Sequence, residues 1–314
     1  MRSVSIIGVG MSKFGERWEA SLRDLVVEAG SMAINDSGCE SKDIDAIFGG
    51  CIAPGRFVGQ EHLGAVIADE LGLNPIPATR CEAACASGAL ALSQGYLSIA
   101  AGKHDVVAVG GVEKMTDVST EEAATTLGGA GDEEFELFNG ATFPALYAML
   151  AQMHMKEFGT TEEQMAACSV KSHLNGSKNK YAQYQSPITI DTVMNSGYIA
   201  TPLKLFDCSP ITDVAAAVIL CATEKAKQYT KKPLVEILAS EQASDSLALA
   251  GRKTLTELRA TKEAAAKAFK YAKLTPKDIQ VAEVHDCFSI AEIMAIEDLG
   301  FFQKGRGGKA TEDG

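Results

Sequence analysis

Short apolar runs alternate with amphipathic stretches over the first third of the chain, and this alternation constrains the fold most strongly. The apolar runs predict strands at residues 4–9, 44–51, 76–81 and 105–111. The stretches between them have a helical period and predict helices at residues 21–37, 61–71 and 87–101. Strands that alternate with helices form a parallel or mixed sheet covered on both faces. The sequence therefore predicts an α/β fold.

The middle of the chain differs, because threonine, glycine and acidic residues dominate residues 116–141. We expect an insertion or lid there. Two helices are predicted next, at residues 144–158 and 162–178, followed by an irregular stretch at residues 187–210. The apolar run at residues 213–221 is typical of a central strand.

A short internal repeat relates the start of the chain to its end. Lys42-Asp43-Ile44 recurs as Lys277-Asp278-Ile279, at an offset of 277 − 42 = 235 residues. The elements predicted around the second copy are a strand at 235–240, a helix at 262–272, a strand at 281–285, a helix at 290–299 and a glycine-rich tail at 305–314. The matching order favours duplication of one unit. Because the second copy is shorter than the first, we expect either another chain to supply its remaining elements or a truncated product.

Composition excludes several classes of protein. Of the 314 residues, 46% are hydrophobic and 22% are charged, which is typical of a globular protein rather than a disordered one. The net charge, 29 − 41 = −12, argues against general binding to nucleic acid. No apolar run approaches the roughly 18 residues that span a bilayer. The eight cysteines form no Cys-x-x-Cys pair, so we expect reduced thiols, a cytoplasmic location and no metal site.

Cys85 is the strongest candidate for chemistry. It lies between a predicted strand and a predicted helix, and the residues that follow it are alanine, serine and glycine, which allow a sharp turn. A helix N-terminus favours a thiolate and stabilises an oxyanion beside it. This arrangement follows the logic of a nucleophile elbow, with sulfur in place of a serine oxygen. The competing interpretation is a small cysteine packed under a helix, and we assign that structural role to Cys81.

His285 is the second candidate. It ends a predicted strand just before a predicted helix, the place where open sheets position ligands. A histidine there can donate a hydrogen bond to a carbonyl oxygen or move a proton. Asp286 could orient this histidine, but we expect it to cap the helix.

These residues, in this order, resemble a thiolase along the whole chain, and most closely the sterol-carrier-protein-type thiolases and the related prokaryotic acetoacetyl-CoA thiolases. Four stretches carry the resemblance: Cys85-Ala86-Ser87-Gly88, Gly110-Gly111-Val112-Glu113-Lys114-Met115, Leu205-Phe206-Asp207-Cys208-Ser209-Pro210-Ile211-Thr212-Asp213 and His285-Asp286-Cys287-Phe288. The last stretch is specific to this branch, since other thiolases have an Asn-Glu-Ala-Phe type of sequence there.

The resemblance implies a layered αβαβα fold of two similar halves, with the second half incomplete. We place the N-terminal half at residues 1–116 and 200–230, the lid at 117–199 and the C-terminal half at 231–314. The resemblance also implies that Cys85 takes the acyl group from an acyl-CoA and that His285 helps to form an oxyanion hole. Phe288 and Phe143 are implied to border the acyl pocket. The implied reaction is a Claisen condensation of two acyl-CoA molecules, or thiolysis in reverse.

Partners are also implied by the resemblance. A homodimer or tetramer is expected, together with hydroxymethylglutaryl-CoA synthase in isoprenoid precursor synthesis and a zinc-ribbon OB-fold protein. No cofactor is expected apart from the coenzyme A thioester, which is a substrate. Two alternatives from other classes stay open: a thiolase-like aldol lyase acting on CoA esters, and a non-catalytic subunit that binds CoA esters or serves as a scaffold.

Two departures from the family pattern matter. Asp213-Val214 stands where the family has Asp-Gly, which affects the backbone near the CoA loop. Family members also continue past the position of Gly314 with a Gly-His-Pro motif and a Cys-x-Gly motif, whose roles we transfer to no residue here. We therefore expect the polypeptide as written to be inactive, or nearly so, in acetoacetyl-CoA cleavage on its own.

Overall fold

The computed structural model describes residues 1–314, which form two compact units. The first unit comprises Met1–Thr126 and Ile211–Ser240, and the second comprises Leu127–Pro210 and Glu241–Gly314. The domain limits given above stay a prediction.

Eight strands and twelve α-helices make up the regular structure. The strands are β1 (Val4–Met11), β2 (Ala46–Gly50), β3 (Ala78–Cys81), β4 (Val106–Glu113), β5 (Tyr198–Ala200), β6 (Leu203–Lys204), β7 (Val214–Ala222) and β8 (Val235–Glu236). The helices are α1 (Leu22–Ser37), α2 (Pro54–Phe57), α3 (Leu63–Glu70), α4 (Ser87–Ala100), α5 (Thr120–Gly128), α6 (Phe143–Phe158), α7 (Glu162–Gly176), α8 (Ile190–Met194), α9 (Thr223–Ala226), α10 (Arg259–Ala272), α11 (Ser289–Asp298) and α12 (Gly307–Asp313). None of these helices has the length and apolar character needed to cross a membrane.

The first unit is built on a six-stranded mixed sheet in the order β3-β2-β4-β7-β1-β8. β2 pairs in parallel with β3 and β4, whereas β7 pairs antiparallel with both β4 and β1. The predicted α/β class and the predicted central position of β7 are therefore confirmed.

The sheet buries apolar side chains on both faces. Along β4, Val106 and Ala108 belong to the core that α1 and α3 cover, while Val107 and Val109 belong to the core under α4. Successive strand residues point to opposite faces, so one apolar run supplies two cores.

The second unit is mainly helical. Side chains of α6, α7 and α11 form its core, and α11 is buried over almost its whole length. β5 and β6 form a separate two-stranded sheet. The stretch predicted as irregular thus contains this hairpin and α8.

The internal repeat is confirmed in its helix and turn. A 3₁₀ turn follows the helix in each copy, at Ser41–Asp43 and at Pro276–Asp278. Asp43 accepts a hydrogen bond from the backbone N–H three residues earlier at 2.9 Å, and Asp278 does the same at 2.7 Å. The same tripeptide therefore closes the same turn in both units.

The strand predicted at residues 281–285 is wrong, and the strand predicted at 235–240 shortens to Val235–Glu236. A strand requires a neighbouring backbone with which to form hydrogen bonds. Residues 281–285 have no such neighbour, and Val281 is 82% exposed. The glycine-rich tail, by contrast, contains the helix α12.

Candidate active site

The turn that carries Cys85 connects β3 to α4. β3 ends at Cys81 and α4 begins at Ser87, so Cys85 lies just before the helix. Ala84 has a left-handed backbone with φ of 50°, a conformation that is strained for an L-amino acid. Cys85 is exposed, whereas Cys81 is buried. The turn therefore exposes the residue Cys85 at the surface and hides Cys81.

Two glycines allow α4 to approach the sheet closely below this turn. A Cβ atom on Gly50 would lie 2.5 Å from the carbonyl carbon of Ser87 and 2.6 Å from the amide nitrogen of Gly88. A Cβ atom on Gly111, in the neighbouring strand, would lie 3.6 Å from the Cα atom of Gly88. The absence of side chains at these glycines lets the first residues of α4 pack directly against the sheet, and this holds the end of the Cys85 turn in place.

The Cys85 thiol is protonated at neutral pH. Although the residue as a whole is exposed, nearby protein atoms take part of the water away from its sulfur, and this loss of hydration raises the pKa of the thiol above its ordinary value. The Glu113 carboxylate raises the pKa further, against the effect of the residue's own backbone N–H. This direction is opposite to the thiolate expected from the helix N-terminus, because loss of hydration outweighs the hydrogen bond from the residue's own backbone. A reaction through this sulfur therefore begins with the loss of its proton.

Glu113 is a charged neighbour of Cys85 that the sequence analysis did not single out. It ends β4, and its carboxylate accepts hydrogen bonds from the backbone N–H of Ile52 at 2.8 Å and from the Cys51 thiol at 3.2 Å. Burial raises the pKa of this carboxyl group, and the hydrogen bonds oppose that shift. In the sequence, Glu113 could be noticed because it follows Gly110-Gly111 at the end of a predicted strand. The sequence does not show that the Cys85 turn lies near this strand end.

His285 lies in the second unit, in the irregular segment that precedes α11, and it is exposed. Loss of hydration lowers the pKa of its imidazole, while the charge of Asp286 acts in the opposite direction. The ring is therefore neutral at pH 7, with one N–H to donate and one nitrogen to accept.

Two hydrogen bonds fix the segment that carries His285. The backbone N–H of Ser209 donates to the carbonyl oxygen of Cys287 at 3.0 Å, and the Ser289 hydroxyl donates to Oδ1 of Asp207 at 2.7 Å. Two of the four stretches that define the sequence resemblance are thus held together within this unit.

The prediction that Asp286 caps the next helix is wrong. α11 begins at Ser289, its N-cap residue is Phe288, and no side chain caps it. A capping side chain belongs to the residue directly before the helix, so Asp286 lies too far upstream. Its carboxylate instead accepts a hydrogen bond from the Ser172 hydroxyl at 3.4 Å.

Phe288 and Phe143 are connected by a third aromatic residue. Tyr147 stacks on Phe288 with ring centroids 4.5 Å apart, and its centroid lies 6.5 Å from that of Phe143. Phe288 is buried, whereas Phe143 and Tyr147 are half-buried. Tyr147 was missed because a tyrosine on a helical face gives no sequence signal for stacking on a residue far along the chain.

His154 has a structural role. It is fully buried, and its ring nitrogens pair with the Thr160 hydroxyl at 2.8 Å and with the Glu297 carboxylate at 3.1 Å. Both nitrogens are used inside the core, so this histidine does not line a site open to solvent.

Asp213 joins its own stretch of the sequence resemblance to a third one, the stretch that ends at Met115. Its fully buried carboxylate accepts hydrogen bonds from the Lys114 ammonium at 2.8 Å and from the backbone N–H of Met115 at 2.7 Å. Val214, which follows where the family has glycine, begins β7 in register with Glu113. The departure therefore leaves a regular strand at this position.

No group of three or more histidine, cysteine, aspartate or glutamate side chains is arranged to hold a metal ion. The expectation that coenzyme A enters only as part of a substrate stays a prediction.

The fold and the turn define an α/β protein that presents a cysteine between a strand and a helix. The family model for the thiolase N-terminal domain matches residues 4–224, and that for the thiolase C-terminal domain-like family matches residues 241–314. The chain belongs to the thiolase family.

Relatives and a solved structure agree with that assignment. An acetyl-CoA acetyltransferase of Methanothermobacter thermautotrophicus is 54% identical over the whole chain, which spans 81% of that relative. One of Methanocaldococcus jannaschii is 52% identical, again over the whole chain and 80% of the relative. The structure of the Ltp2-ChsH2(DUF35) aldolase superposes with a TM-score of 0.84 at 25% identity, covering 99% of this chain and 80% of that one.

Proposed function

We propose that this protein is an acyl-CoA acyltransferase of the thiolase type, which condenses two acetyl-CoA molecules to acetoacetyl-CoA or runs the reverse thiolysis. The observation that carries the proposal is the exposed residue Cys85 in the turn that leads into α4. The names of the two archaeal relatives support the same activity.

In the first step, the Cys85 thiol loses its proton to hydroxide from the solvent, and the sulfur attacks the carbonyl carbon of an acetyl-CoA. A new carbon–sulfur bond forms at Cys85, the bond to the coenzyme A sulfur breaks, and coenzyme A leaves as a thiolate that takes up a proton. The acyl group is then held as a thioester on the protein.

His285 is proposed to act on the second acyl-CoA. Its neutral ring has one N–H that can donate to a thioester oxygen, where negative charge develops when a proton leaves the neighbouring carbon. Phe288 and Phe143, with Tyr147 between them, are proposed to border the acyl pocket.

Alkylation with iodoacetamide, with and without acetyl-CoA, tests the proposal. At alkaline pH, Cys85 should be labelled before the other cysteines, and acetyl-CoA should protect it. Cys208→Ala removes a half-buried thiol outside the turn and is the matched control, so labelling and protection should persist in it. Labelling spread over several cysteines and unaffected by acetyl-CoA would count against a substrate site at Cys85.

An aldol lyase acting on CoA esters is the second candidate, because the Ltp2-ChsH2(DUF35) aldolase shares this fold at a TM-score of 0.84. A lyase of that kind needs no acyl-cysteine intermediate, so the exposed Cys85 favours the transferase. A non-catalytic subunit that binds CoA esters would be protected from alkylation but would not become acylated. Detection of an acetyl group on Cys85 therefore separates the transferase from both alternatives.

We further propose that the protein forms a homodimer or tetramer and works with hydroxymethylglutaryl-CoA synthase and a zinc-ribbon OB-fold protein in lipid and isoprenoid precursor synthesis in the cytoplasm. The name of the solved aldolase includes a second, DUF35 component beside the thiolase-fold chain, and this supports a protein partner. Native mass spectrometry of the protein purified from its own cells tests these assemblies. A monomer without either partner would contradict them.

A further inference from the structure

The backbone directly before Cys85 is strained, and something must hold it in place. Ala84 has φ of 50°, although alanine disfavours the left-handed region that glycine occupies freely. A small rotation at Ala84 would swing the Cys85 sulfur, because Cys85 is the next residue. The direction of the thiol therefore depends on what stabilises this conformation.

One buried hydroxyl bridges the two sides of the strained residue. Oγ of Ser87 accepts a hydrogen bond from the backbone N–H of Ala83 at 3.0 Å and donates one to the carbonyl oxygen of Ala84 at 2.6 Å. Ser87 is only 4% exposed, so water does not compete for these bonds. Both hydrogen bonds of the Ser87 hydroxyl, the one it donates and the one it accepts, are therefore made to the backbone of the turn.

Ser87 does not cap α4, although capping is the usual role of a serine at the start of a helix. Ser87 is the first residue of α4, the N-cap residue is Ala86, and no side chain caps the helix. The Ser87 hydroxyl points back into the turn instead of forward to the helix amides. Its backbone is also held by the close approach to Gly50, so the hydroxyl is attached to a rigid support.

We propose that Ser87 is a positioning residue, whose hydroxyl holds Ala84 in its left-handed conformation and so aims the Cys85 sulfur at the carbonyl carbon of a thioester. This inference rests on the proposed acyl transfer. Ser87 itself does not contact the substrate, and it acts only through the backbone of the turn.

Ser87→Ala tests this role, with Ser93→Ala as the matched control because Ser93 is also 4% exposed and lies on the same helix. The rate at which acetyl-CoA acylates Cys85, per folded molecule, should fall about tenfold or more in Ser87→Ala, since small misplacements of a nucleophile slow its reaction strongly. Ser93→Ala should acylate at the wild-type rate. An equal rate in the two variants would overturn the proposal.

A second change distinguishes positioning from a general loss of stability. Ala84→Gly supplies a residue that adopts the left-handed conformation without strain, so Ser87→Ala combined with Ala84→Gly should recover part of the lost rate. A merely structural role of Ser87 predicts no such rescue. Ser87→Thr keeps the hydroxyl and covers the case in which Ser87→Ala does not fold: it should acylate faster than the doubly changed protein, and a slower rate would contradict the role.

Failure of the proposed acyl transfer has a different signature. If wild-type Cys85 is alkylated but never acylated, the acyltransferase assignment is wrong, and the alkylation rate then tests Ser87. Ser87→Ala should still change the rate constant and pH profile of Cys85 alkylation relative to Ser93→Ala. Identical alkylation in the two variants would overturn the positioning role independently of the function.

Discussion

Ser289 donates a hydrogen bond from its hydroxyl to Oδ1 of Asp207 at 2.7 Å, and both residues are buried. Asp207 belongs to the Leu205–Asp207 turn, and Ser289 begins the helix that follows His285. Burial raises the pKa of the Asp207 carboxyl, against the effect of this hydrogen bond and of one from the backbone of Lys204. The segment that carries His285 is therefore held by a buried carboxylate, and these two hydrogen bonds stabilise the charged form of that carboxylate.

Ser289→Ala should lower the free energy of unfolding by about 1–3 kcal/mol, because it leaves a buried carboxylate without one of its donors. Urea denaturation followed by circular dichroism measures the change. Ser177→Ala is the control, since that hydroxyl only contacts the Leu174 carbonyl near the surface, and it should change stability by about 0.5 kcal/mol or less. Equal effects of the two changes would show that the Asp207 anchor does not stabilise the fold.

Alkylation of Cys85 should follow a titration above the ordinary pKa of a cysteine, because burial favours the protonated thiol. Glu113→Gln removes a negative charge that opposes the thiolate, so the pH profile of alkylation should move to lower pH. Iodoacetamide rates measured across the alkaline range give the profile. Glu121→Gln, on the exposed face of α5, is the control and should leave the profile in place, whereas an unmoved profile in Glu113→Gln would rule out this charge effect.

Asp213→Ala should destabilise the first unit by about 3 kcal/mol, since it leaves the buried Lys114 ammonium with Asp117, at 2.6 Å, as its one carboxylate partner. It also removes the acceptor of the backbone N–H groups of Met115 and Thr116. Adding Lys114→Met to that variant removes the buried charge that has lost one of its two carboxylate partners, and should recover part of the loss. Urea midpoints of the three proteins test this. A doubly changed protein no more stable than Asp213→Ala would contradict the interpretation as a buried ion pair.

Acidification should weaken the ion pair between Asp213 and Lys114. Burial alone would raise the pKa of the Asp213 carboxyl, but hydrogen bonds from Lys114 and Thr116 outweigh it and hold the pKa below its ordinary value. A depressed folded-state pKa gives stability that is present above about pH 4 and is lost as the pH falls through the folded-state pKa. Asp213→Asn should show a weaker loss of urea stability in this acidic range than the wild type, and parallel curves would exclude the linkage.

The internal repeat makes its own prediction. Asp43→Ala and Asp278→Ala remove the same side-chain bond to a backbone N–H from two equivalent turns. Both should lower the urea midpoint, and by similar amounts, whereas the conservative changes to asparagine should lower it less. A loss confined to one copy would show that the two turns are alike in sequence but not in energetics.

Periodicity in the sequence was enough to predict helices and strands whose apolar pattern and end signals lie within one stretch of chain. α1 is an example, because its apolar positions have a helical period and Gly38 ends it with a left-handed φ of 76°. The run that became β7 is apolar at every position, so its place inside a sheet could also be predicted. These signals lie within a single stretch of chain.

Features that require contact with a distant stretch of the chain could not be predicted from the sequence. Residues 281–285 have the composition of a strand, but a strand needs a backbone beside it, which local sequence does not specify. Tyr147 and Glu113 were missed for the same reason, since their importance comes from Phe288 and from Cys85. The strained Ala84 left no sequence signal either, because the usual marker of a left-handed turn is glycine.

The most direct test of the account is transfer of an acetyl group from acetyl-CoA to Cys85. The intact protein is incubated with acetyl-CoA at alkaline pH, and its mass and peptides are measured after quenching. We predict one added acetyl group, located on Cys85, absent from Cys85→Ala and present in Cys208→Ala. An unmodified protein, or acetylation spread over surface lysines with Cys85 unchanged, would contradict the claim that this thiol carries the acyl group.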